Sequence, residues 1–197
     1  MPAPERRRQI IDAATRVISR EGVSKATTRR ICEEARANIG TLHYTFSGKN
    51  DLFEAVFAYC WDVVSEIVDD AVSSSTGEPE DTAREIISRY TELAITDPHL
   101  LSAQFQLLNW SMTRPAARGE AAAAYDQQHA VIASALRRDG SWPSPDFDSA
   151  GVARMIVSLL DGMCIRFSVT NSVDQLRLDA RAAIDMVQRS FTVAVGS

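Results

Sequence analysis

The spacing of apolar residues constrains the fold more than any other feature of this sequence. Along most of the 197 residues, apolar side chains recur at intervals of three and four, which is the period of an amphipathic helix. No window combines strand-like alternation with an Asn-Gly or Asp-Gly turn. With 45% hydrophobic residues the chain can bury a sizeable core, and we therefore expect an all-α fold.

Start and stop signals divide this pattern into nine predicted helices. Gly22 can end the first helix in a left-handed cap, and Thr27 and Asn38 can cap the two short helices that follow. A fourth helix of about 22 residues ends at the stretch SSSTGEP. Proline at the first helical position opens the next three helices, at Pro79, Pro98 and Pro115.

The last two predicted helices carry more apolar surface than one chain can cover. A loop at residues 139–149 precedes the eighth helix, at about 149–169, which is apolar around most of its circumference and should be buried on two sides. Ser172 and Gln175 form a capping box for the ninth helix. The surplus of apolar surface points to a partner, and a second copy of the chain is the simplest one.

Charge is divided unevenly between the start of the chain and the rest. Residues 1–50 contain ten Lys or Arg and five Asp or Glu, a balance of +5, whereas the whole chain carries −5. A basic segment on an acidic body is typical of a polyanion-binding module joined to a part that does not touch the polyanion. Taken by itself, the uneven distribution of charge is explained equally well by a charged surface that only contacts solvent.

The basic segment contains the outline of a helix-turn-helix, two short helices about three residues apart. The second helix carries residues 40–46, GTLHYTF, an uncharged stretch set among arginines. A recognition helix in the major groove needs small residues where its backbone approaches DNA, short polar groups for bases and phosphates, and anchors to the core. This stretch offers each of these, with Leu42 and Phe46 as the anchors.

In this region the sequence resembles the TetR family of tetracycline-repressor-like regulators. The resemblance covers about 50 residues and rests on Arg8, Ile11, Ala13, Ala14, Gly22, Thr27, Thr28, Arg29, Arg30, Ile31, residues 38–46, Lys49 and Leu52. Further along the chain the resemblance rests on the number of helices, the length of the chain and the sequence Leu160-Asp161-Gly162 in the eighth helix.

The resemblance implies a nine-helix architecture in two domains. A three-helix DNA-binding domain would occupy residues 1–48, and a ligand-binding and dimerisation domain residues 49–197. The chain would be a homodimer, paired through its eighth and ninth helices. Most simply it would be a repressor that binds an inverted-repeat operator in double-stranded DNA and is released by a small-molecule effector.

The residues expected at the DNA follow from the same resemblance. They are Thr28, Arg29, Arg36, Asn38, Ile39, Gly40, Thr41, His43, Tyr44 and Lys49. The charges of Arg29, Arg30, Arg36 and Lys49 would attract the DNA, while the uncharged helix supplies shape and base contacts. For Tyr44 and Phe46 taken singly, core packing is favoured over base contact.

Three residues depart from the family pattern. Arg36 stands where the family has the glycine of the turn, so the turn must avoid a positive φ or accept a cost of about 1 kcal/mol. Cys32 replaces the usual alanine and Thr45 the usual histidine. These departures affect the expected base preference rather than the fold.

The effector is expected in an apolar pocket among the C-terminal helices. The predicted lining residues are Trp61, Tyr90, Gln104, Phe105, Leu108, Asn109, Tyr125, His129, Met155, Leu159, Met163 and Phe167. For each one alone, a plain core role is the more frequent assignment. Together they indicate a hydrophobic, aromatic or lipid-like compound, which would act by tilting the fourth helix and changing the spacing of the two recognition helices.

Other chemistries find little support in the sequence. Asp126 and His129 could form half of a metal site, but a second pair is missing, and Tyr125 with His129 is equally a hydrogen-bonded core pair or a ligand contact. No metal, cofactor or enzymatic activity is expected, because the phosphate-loop, His-Glu-x-x-His and Gly-x-Ser-x-Gly signatures are missing. The cysteines are expected to be inert core thiols: Cys32, Cys60 and Cys164.

The sequence lacks both a signal-peptide pattern and a long apolar run, so we expect a cytoplasmic protein without a membrane partner. Two other function classes remain open. One is a helical small-molecule-binding protein that never touches DNA, and the other is an architectural DNA-binding protein without an effector.

Overall fold

The computed structural model describes residues 2–137 and 147–193, and within these ranges the chain forms nine α-helices and no strand. The predicted fold class and helix number are confirmed, while most of the loop predicted at residues 139–149 lies outside the described residues. The helices are α1 (Ala3–Glu21), α2 (Thr28–Ala35), α3 (Ile39–Thr45), α4 (Lys49–Ser74), α5 (Pro79–Thr96), α6 (Pro98–Met112), α7 (Pro115–Ala135), α8 (Ser149–Thr170) and α9 (Val173–Val193).

Most helix boundaries lie at the residues that the sequence marks. The prolines at 79, 98 and 115 each occupy the first position of a helix, as predicted. Helix α4, however, has 26 residues rather than 22. It continues into the serine run because the Ser73 and Ser74 hydroxyls donate to the carbonyls of Asp69 and Asp70, at 2.8 and 2.9 Å, instead of terminating the helix.

Two predicted caps are only partly correct. Gly22 has the expected positive φ of 88°, but its ψ of 158° is extended, so it leaves α1 without entering the left-handed helical region. Before α9, the Ser172 hydroxyl accepts from the Gln175 amide at 3.3 Å, as a capping box requires. The Gln175 side chain, however, donates forward to Asp179 at 3.2 Å, so the capping box is formed by one partner only.

The turn between α2 and α3 has a positive φ at Arg36. This residue adopts the left-handed conformation, with φ 50° and ψ 41°. Its amide donates to the Glu33 carbonyl at 3.2 Å, and the Ala37 amide donates to the Cys32 carbonyl at 3.0 Å. These two bonds form a Schellman motif, in which glycine is the usual left-handed residue. The turn therefore accepts the positive φ, with its cost, rather than avoiding it.

The chain divides into two compact units. The first comprises Met1–Asp62 and Asp97–Ala121, and the second comprises Val63–Thr96 and Ala122–Ser197. Helices α4 and α7 contribute residues to both units. The division predicted between residues 48 and 49 separates functions rather than packing units, and it stays a prediction.

The first unit is organised around α1. This helix packs against α2, α3 and α6, and its residues Ile10, Val17 and Ile18 are completely buried. Ile31 of α2 and Leu42 of α3 are also completely buried. The two short helices are therefore held in place by α1, as a helix-turn-helix requires.

The second unit is built from α5, α8 and α9, with α5 and α8 both packed against α9 and against each other. Tyr90, Ile156, Leu160 and Phe191 are buried in these helices. Ile165 and Val169 of α8 are 51% and 82% exposed in the single chain, so the burial of α8 on two sides, which is expected to involve a second copy, stays a prediction.

Two further expectations concern the cysteines and the membrane. All three cysteines are free and buried, and burial raises the pKa of Cys60 and Cys164 to about 12, in keeping with inert core thiols. None of the helices in the described ranges is long and apolar enough to cross a membrane.

Candidate nucleic-acid interface and effector site

The residues predicted to contact DNA lie on α2, in the turn that follows it, on α3 and at the first residue of α4. Thr28, Thr41 and Lys49 are half-buried, and the other predicted contacts are exposed: Arg29, Arg36, Asn38, Ile39, Gly40, His43 and Tyr44. Each of these residues thus keeps surface that a bound molecule can reach.

Helix α3 has one buried side and one exposed side. Leu42 and Phe46 are 0% and 1% exposed, and the Arg7 guanidinium lies over the Phe46 ring at 5.0 Å. These two residues anchor the helix, as predicted. Tyr44 is 91% exposed, so the expectation that this residue singly belongs to the core is wrong. Tyr44 is two residues from both Leu42 and Phe46, and this spacing places its ring on the opposite side of the helix from these anchors.

Two polar groups of α3 are oriented by its N-cap. Asn38 Oδ1 accepts from the Thr41 amide at 2.7 Å and from the Thr41 hydroxyl at 2.9 Å. Because that hydroxyl donates its proton within the protein, its oxygen is left to act as an acceptor toward another molecule. The arrangement suits an amino group on a base edge, such as adenine N6 or cytosine N4.

The arginines near α3 differ in how much of their charge is available. Arg30 forms ion pairs with Glu21 and Glu33, and these hydrogen bonds raise its pKa. Arg29 is also paired with Glu33, at 3.1 Å. Arg36 forms no ion pair within the described part of the chain. Among the described residues the charge of Arg36 is therefore without an ion pair, whereas Arg30 is paired with Glu33 and with Glu21 of α1.

Lys49 begins α4 in a setting that differs from an open anion site. Its Nζ donates to the Val23 carbonyl at 3.3 Å and lies 5.0 Å from the centre of the Phe53 ring. Burial and the nearby charge of Arg114 lower its pKa. The Asp51 carboxylate already accepts from the Ser47 amide at 2.8 Å. At this end of α4 the Lys49 ammonium is therefore half-buried and bonded within the chain, and the Ser47 amide is occupied.

Gly40 is exposed on α3 and does not have the positive φ that only glycine tolerates well. A Cβ at this position would have one neighbour, Asn38 Oδ1 at 3.4 Å, which is close to ordinary contact. Folding therefore does not require glycine here. Close approach of the backbone to a ligand is a setting in which glycine is preferred, and at Gly40 such an approach stays a prediction.

The twelve predicted effector residues are divided between the two units. In the first unit Gln104 is buried, Trp61, Phe105 and Leu108 are half-buried, and Asn109 is exposed. In the second unit the buried residues are Tyr90, Met163 and Phe167, and the half-buried ones are Tyr125, His129, Met155 and Leu159.

Open grooves in the second unit do not coincide with these residues. One groove, of about 380 Å³, is lined by α4 and α5 from Ile67 to Leu93, and another, of about 420 Å³, by α4 and α7 from Val68 to Ala135. Neither groove is lined by any of the twelve. The effector site that they were predicted to form stays a prediction.

One polar residue of the second unit, Asp161 on α8, is not among the residues that the sequence predicts. The Tyr125 hydroxyl of α7 donates to its carboxylate at 2.8 Å, and the Tyr125 and His129 rings are 6.2 Å apart. A signal is available, since Asp161 is a lone acid in a strongly apolar helix. Its partner is 36 residues away, which the local sequence does not reveal. In the described ranges no three His, Cys, Asp or Glu side chains come together as metal ligands.

Comparison with known proteins bears on both ends of the chain. Residues 10–56 match the family described as bacterial regulatory proteins, tetR family. Residues 79–190, more than half of the chain, match the family described as BetI-type transcriptional repressor, C-terminal.

Individual proteins agree with these matches. The HTH-type nicotine-responsive transcriptional repressor HdnoR of Paenarthrobacter nicotinovorans is 26% identical over 163 residues, which cover 83% of this chain and 84% of that protein. The structure of a TetR-family member from Streptomyces coelicolor has a TM-score of 0.74 at 26% identity, covering 95% of this chain and 98% of that one. The multidrug binding protein EbrR, complexed with imidazole, has a TM-score of 0.67 at 27% identity, covering 95% and 90%.

The resemblance seen in residues 8–52 is thereby confirmed and extended to the C-terminal helices. The chain belongs to the TetR family of bacterial transcriptional regulators, and its C-terminal part is of the BetI repressor type.

Proposed function

We propose that the chain is a homodimeric repressor that reads an inverted-repeat operator through α3 and is released when a small molecule binds to its C-terminal helices. The observation that carries this proposal is the one-sided burial of α3. Leu42 and Phe46 anchor the helix, while Tyr44 is 91% exposed on a helix that also exposes Gly40 and His43. A helix that only completes a bundle gains nothing by exposing an aromatic ring, whereas a recognition helix needs reachable polar and aromatic groups.

Three groups are assigned distinct roles at the DNA. The Thr41 oxygen, held as an acceptor by Asn38, reads a base amino group. The Arg36 guanidinium, which has no ion pair among the described residues, and the Lys49 ammonium bind phosphates, and they set the position of α3 along the groove. The remaining predicted contacts, Thr28, Arg29, Ile39, Gly40, His43 and Tyr44, complete this surface.

The dimer is proposed to form through α8 and α9. Ile165 and Val169 lie one turn apart on α8 and are 51% and 82% exposed. Leu178 and Met186 of α9 are 52% and 54% exposed, two turns apart. Such apolar stripes on neighbouring helices favour an isologous interface in which each copy covers the other. A two-fold dimer in turn requires an operator with two-fold symmetry.

The effector is proposed to be a small organic molecule. HdnoR is named as nicotine-responsive, and EbrR is described as a multidrug binding protein with imidazole bound. Both descriptions refer to organic compounds rather than to metals. The twelve predicted residues, from Trp61 to Phe167, are the proposed contacts.

Release requires that the effector changes the position of α3, and the first unit contains two links that can carry this change. On α4, the Tyr59 hydroxyl accepts from Arg8 of α1 at 2.9 Å, and the Arg8 guanidinium lies 4.2 Å from the ring centre. On α6, the Gln106 side chain donates to the Ser19 carbonyl of α1 at 3.1 Å. The sequence predicts coupling through the fourth helix alone, whereas these contacts favour α4 and α6 together.

The function is tested by titrating purified protein against the DNA upstream of its own gene, at several salt concentrations. Lys49→Ala should weaken binding and make the salt dependence shallower, because each lost phosphate contact lowers the slope of log K against log salt by about 0.9. Thr28→Ala should weaken binding and leave that slope unchanged. Arg137→Ala, which removes an exposed charge just beyond α7, is the control and should have no effect.

Each other outcome favours a different class. If the parent does not bind this DNA, so that Lys49→Ala and Thr28→Ala change nothing measurable, the chain is a small-molecule-binding protein that does not use DNA. If binding is steeply salt-dependent but indifferent to sequence, it is an architectural DNA-binding protein. Within the proposed function the protein works in the cytoplasm and catalyses no reaction.

A further inference from the structure

Four polar residues of the second unit, here named the polar cluster, are Tyr125, Gln128 and His129, which lie within about one turn of α7, and Asp161 of α8. Tyr125 donates to the Asp161 carboxylate at 2.8 Å. The neighbours of Asp161 along α8 include the buried residues Leu160, Met163 and Cys164. The proposed DNA contacts include no member of the cluster, and the twelve predicted effector residues include only its tyrosine and histidine.

The Asp161 carboxylate forms no ion pair with a Lys or Arg within the described ranges. The nearest basic residue that follows it along α8, Arg166, is paired with Asp179 of α9. Burial raises the pKa of Asp161, and the Tyr125 hydrogen bond and the nearby His129 offset only part of this effect. A half-buried carboxylate without a Lys or Arg partner among the described residues is a costly arrangement for folding, since buried charges are ordinarily paired.

Gln128 presents a second acceptor in the cluster. This residue is 8% exposed, and its Oε1 has no hydrogen-bond partner among the described residues. Helix geometry places Gln128 one turn from Tyr125, on adjoining parts of the same helix surface. A buried carbonyl oxygen without a donor costs about 1–3 kcal/mol in general, which makes such a group a candidate for binding a donor from a ligand.

The two acceptors suit the same chemical group. A carboxylate attracts a cation, a carboxamide oxygen needs an N–H donor, and a protonated amine supplies both. A neutral alcohol would leave the charge unbalanced, and a carboxylic acid would add a second negative charge. The rings of Tyr125 and His129 provide faces that can pack against the cation or its apolar part.

We propose that the effector carries a protonated amine, and that this amine binds in the second unit between the Asp161 carboxylate and the Gln128 carbonyl, beside Tyr125 and His129. The inference rests on the proposed effector-controlled function, and it narrows the ligand class from hydrophobic compounds in general to hydrophobic amines. The amine form of such a compound binds because it supplies the positive charge and the N–H donor that the two acceptors lack among the described residues.

The test uses matched probes that differ in one functional group. A series of arylalkylamines from benzylamine to phenylbutylamine is compared with the alcohols and carboxylates of the same skeletons, by calorimetric titration at a pH of about 7.5, where these amines are protonated as lysine is. The amines should bind more tightly than both counterparts. Loss of one member of a buried charged pair weakens binding by about 30-fold or more, and this is the effect expected of Asp161→Asn on the amines alone.

Matched variants on α7 separate the site from a general charge effect. Asp126→Asn removes an exposed carboxylate next to Tyr125, and it should leave amine binding unchanged. Gln128→Leu should weaken the amines by about tenfold or more, whereas Gln127→Leu, at an exposed position, should not. Asp161→Ser serves as a second neutral variant, and circular dichroism establishes that each variant is folded.

Two results would overturn the inference. In one, the alcohols or carboxylates bind the parent protein as tightly as the amines, or no amine in the series binds. In the other, Asp161→Asn and Asp161→Ser retain amine binding. The same preparations are titrated with operator DNA without probe. Intact DNA binding alongside either result rejects the amine site and leaves the repressor function standing. If instead the parent protein binds the amines as predicted but does not bind the DNA, the repressor is rejected and amine binding remains as a separate property.

Discussion

Replacing Arg36 by glycine should make the protein more stable and its DNA binding weaker. Arg36 is the left-handed residue of the turn between α2 and α3, with φ 50° and ψ 41°. The left-handed conformation costs an L-residue about 1–2 kcal/mol, whereas glycine adopts it freely. Glycine also gains more freedom in the unfolded chain, which takes back about 0.5–1 kcal/mol. Arg36 makes no ion pair within the described residues, so no compensating ion pair is lost there.

The net gain expected for Arg36→Gly is therefore about 0.5–1 kcal/mol in the free energy of unfolding. For a chain of this size, that corresponds to a rise of about 1–4 °C in the unfolding midpoint. Thermal and urea unfolding at one protein concentration measure it. Arg36→Ala is the matched variant, because it removes the same charge but keeps the strained backbone, and its stability should not rise.

The two variants should behave alike toward DNA. Both remove the cation assigned to a phosphate in each copy of the dimer, so the slope of log K against log salt should become shallower by about 1.8. A lower unfolding temperature for Arg36→Gly than for the parent, or an equal gain in stability for Arg36→Ala, would refute the strain at this turn. A salt slope unchanged in both variants would reject the role of Arg36 at the DNA.

Three other predictions concern α3 and the polar cluster. Phe46→Ala should lower the free energy of unfolding by about 3–5 kcal/mol, as measured by urea denaturation. Tyr44→Ala should change the free energy of unfolding by less than about 0.5 kcal/mol and should weaken operator binding. Equal losses of stability in the two variants would contradict the one-sided burial of α3. Gly40→Ala should be at least as stable as the parent, since alanine is the better helix former. The added methyl group should cost about 1–3 kcal/mol in operator affinity by overpacking against DNA. Unchanged operator affinity would reject a close approach of the α3 backbone to the DNA. Because the pKa of Asp161 is raised in the folded protein, ionisation of this carboxyl disfavours folding. Asp161→Asn should therefore have a higher free energy of unfolding than the parent near neutral pH, and this difference should disappear as the pH falls toward about 4. A stability difference that grows on acidification would have the wrong sign.

The sequence is sufficient for those parts of the fold that depend on local chemistry. Prolines at 79, 98 and 115 and the caps Thr27 and Asn38 act within one helical turn, and each lies where the sequence predicts it. The sequence underestimates the length of α4 because the serines at its end bond back to helix carbonyls instead of ending the helix. Whether a hydroxyl continues or terminates a helix is a balance of small energies that composition does not decide.

The site is less predictable where its residues belong to different helices. Pairing of Arg30 with Glu21 joins α2 to α1, and the hydrogen bond from Tyr125 to Asp161 joins α7 to α8. Neither pair has a spacing that the sequence can reveal. The exposure of Tyr44 is also not predicted correctly, because an aromatic residue two positions from a core anchor suits a core or a surface equally until the helix is oriented.

In the proposed repressor, a pair of α3 helices docks into two adjacent major grooves of one operator. Hydroxyl-radical footprinting of the DNA upstream of the protein's own gene is the decisive measurement. We expect two protected blocks related by two-fold symmetry, with centres about one helical turn, ~34 Å, apart, and a loss of both blocks with Tyr44→Ala. A single protected block, protection without symmetry, or an unchanged footprint with Tyr44→Ala would contradict this mode of docking.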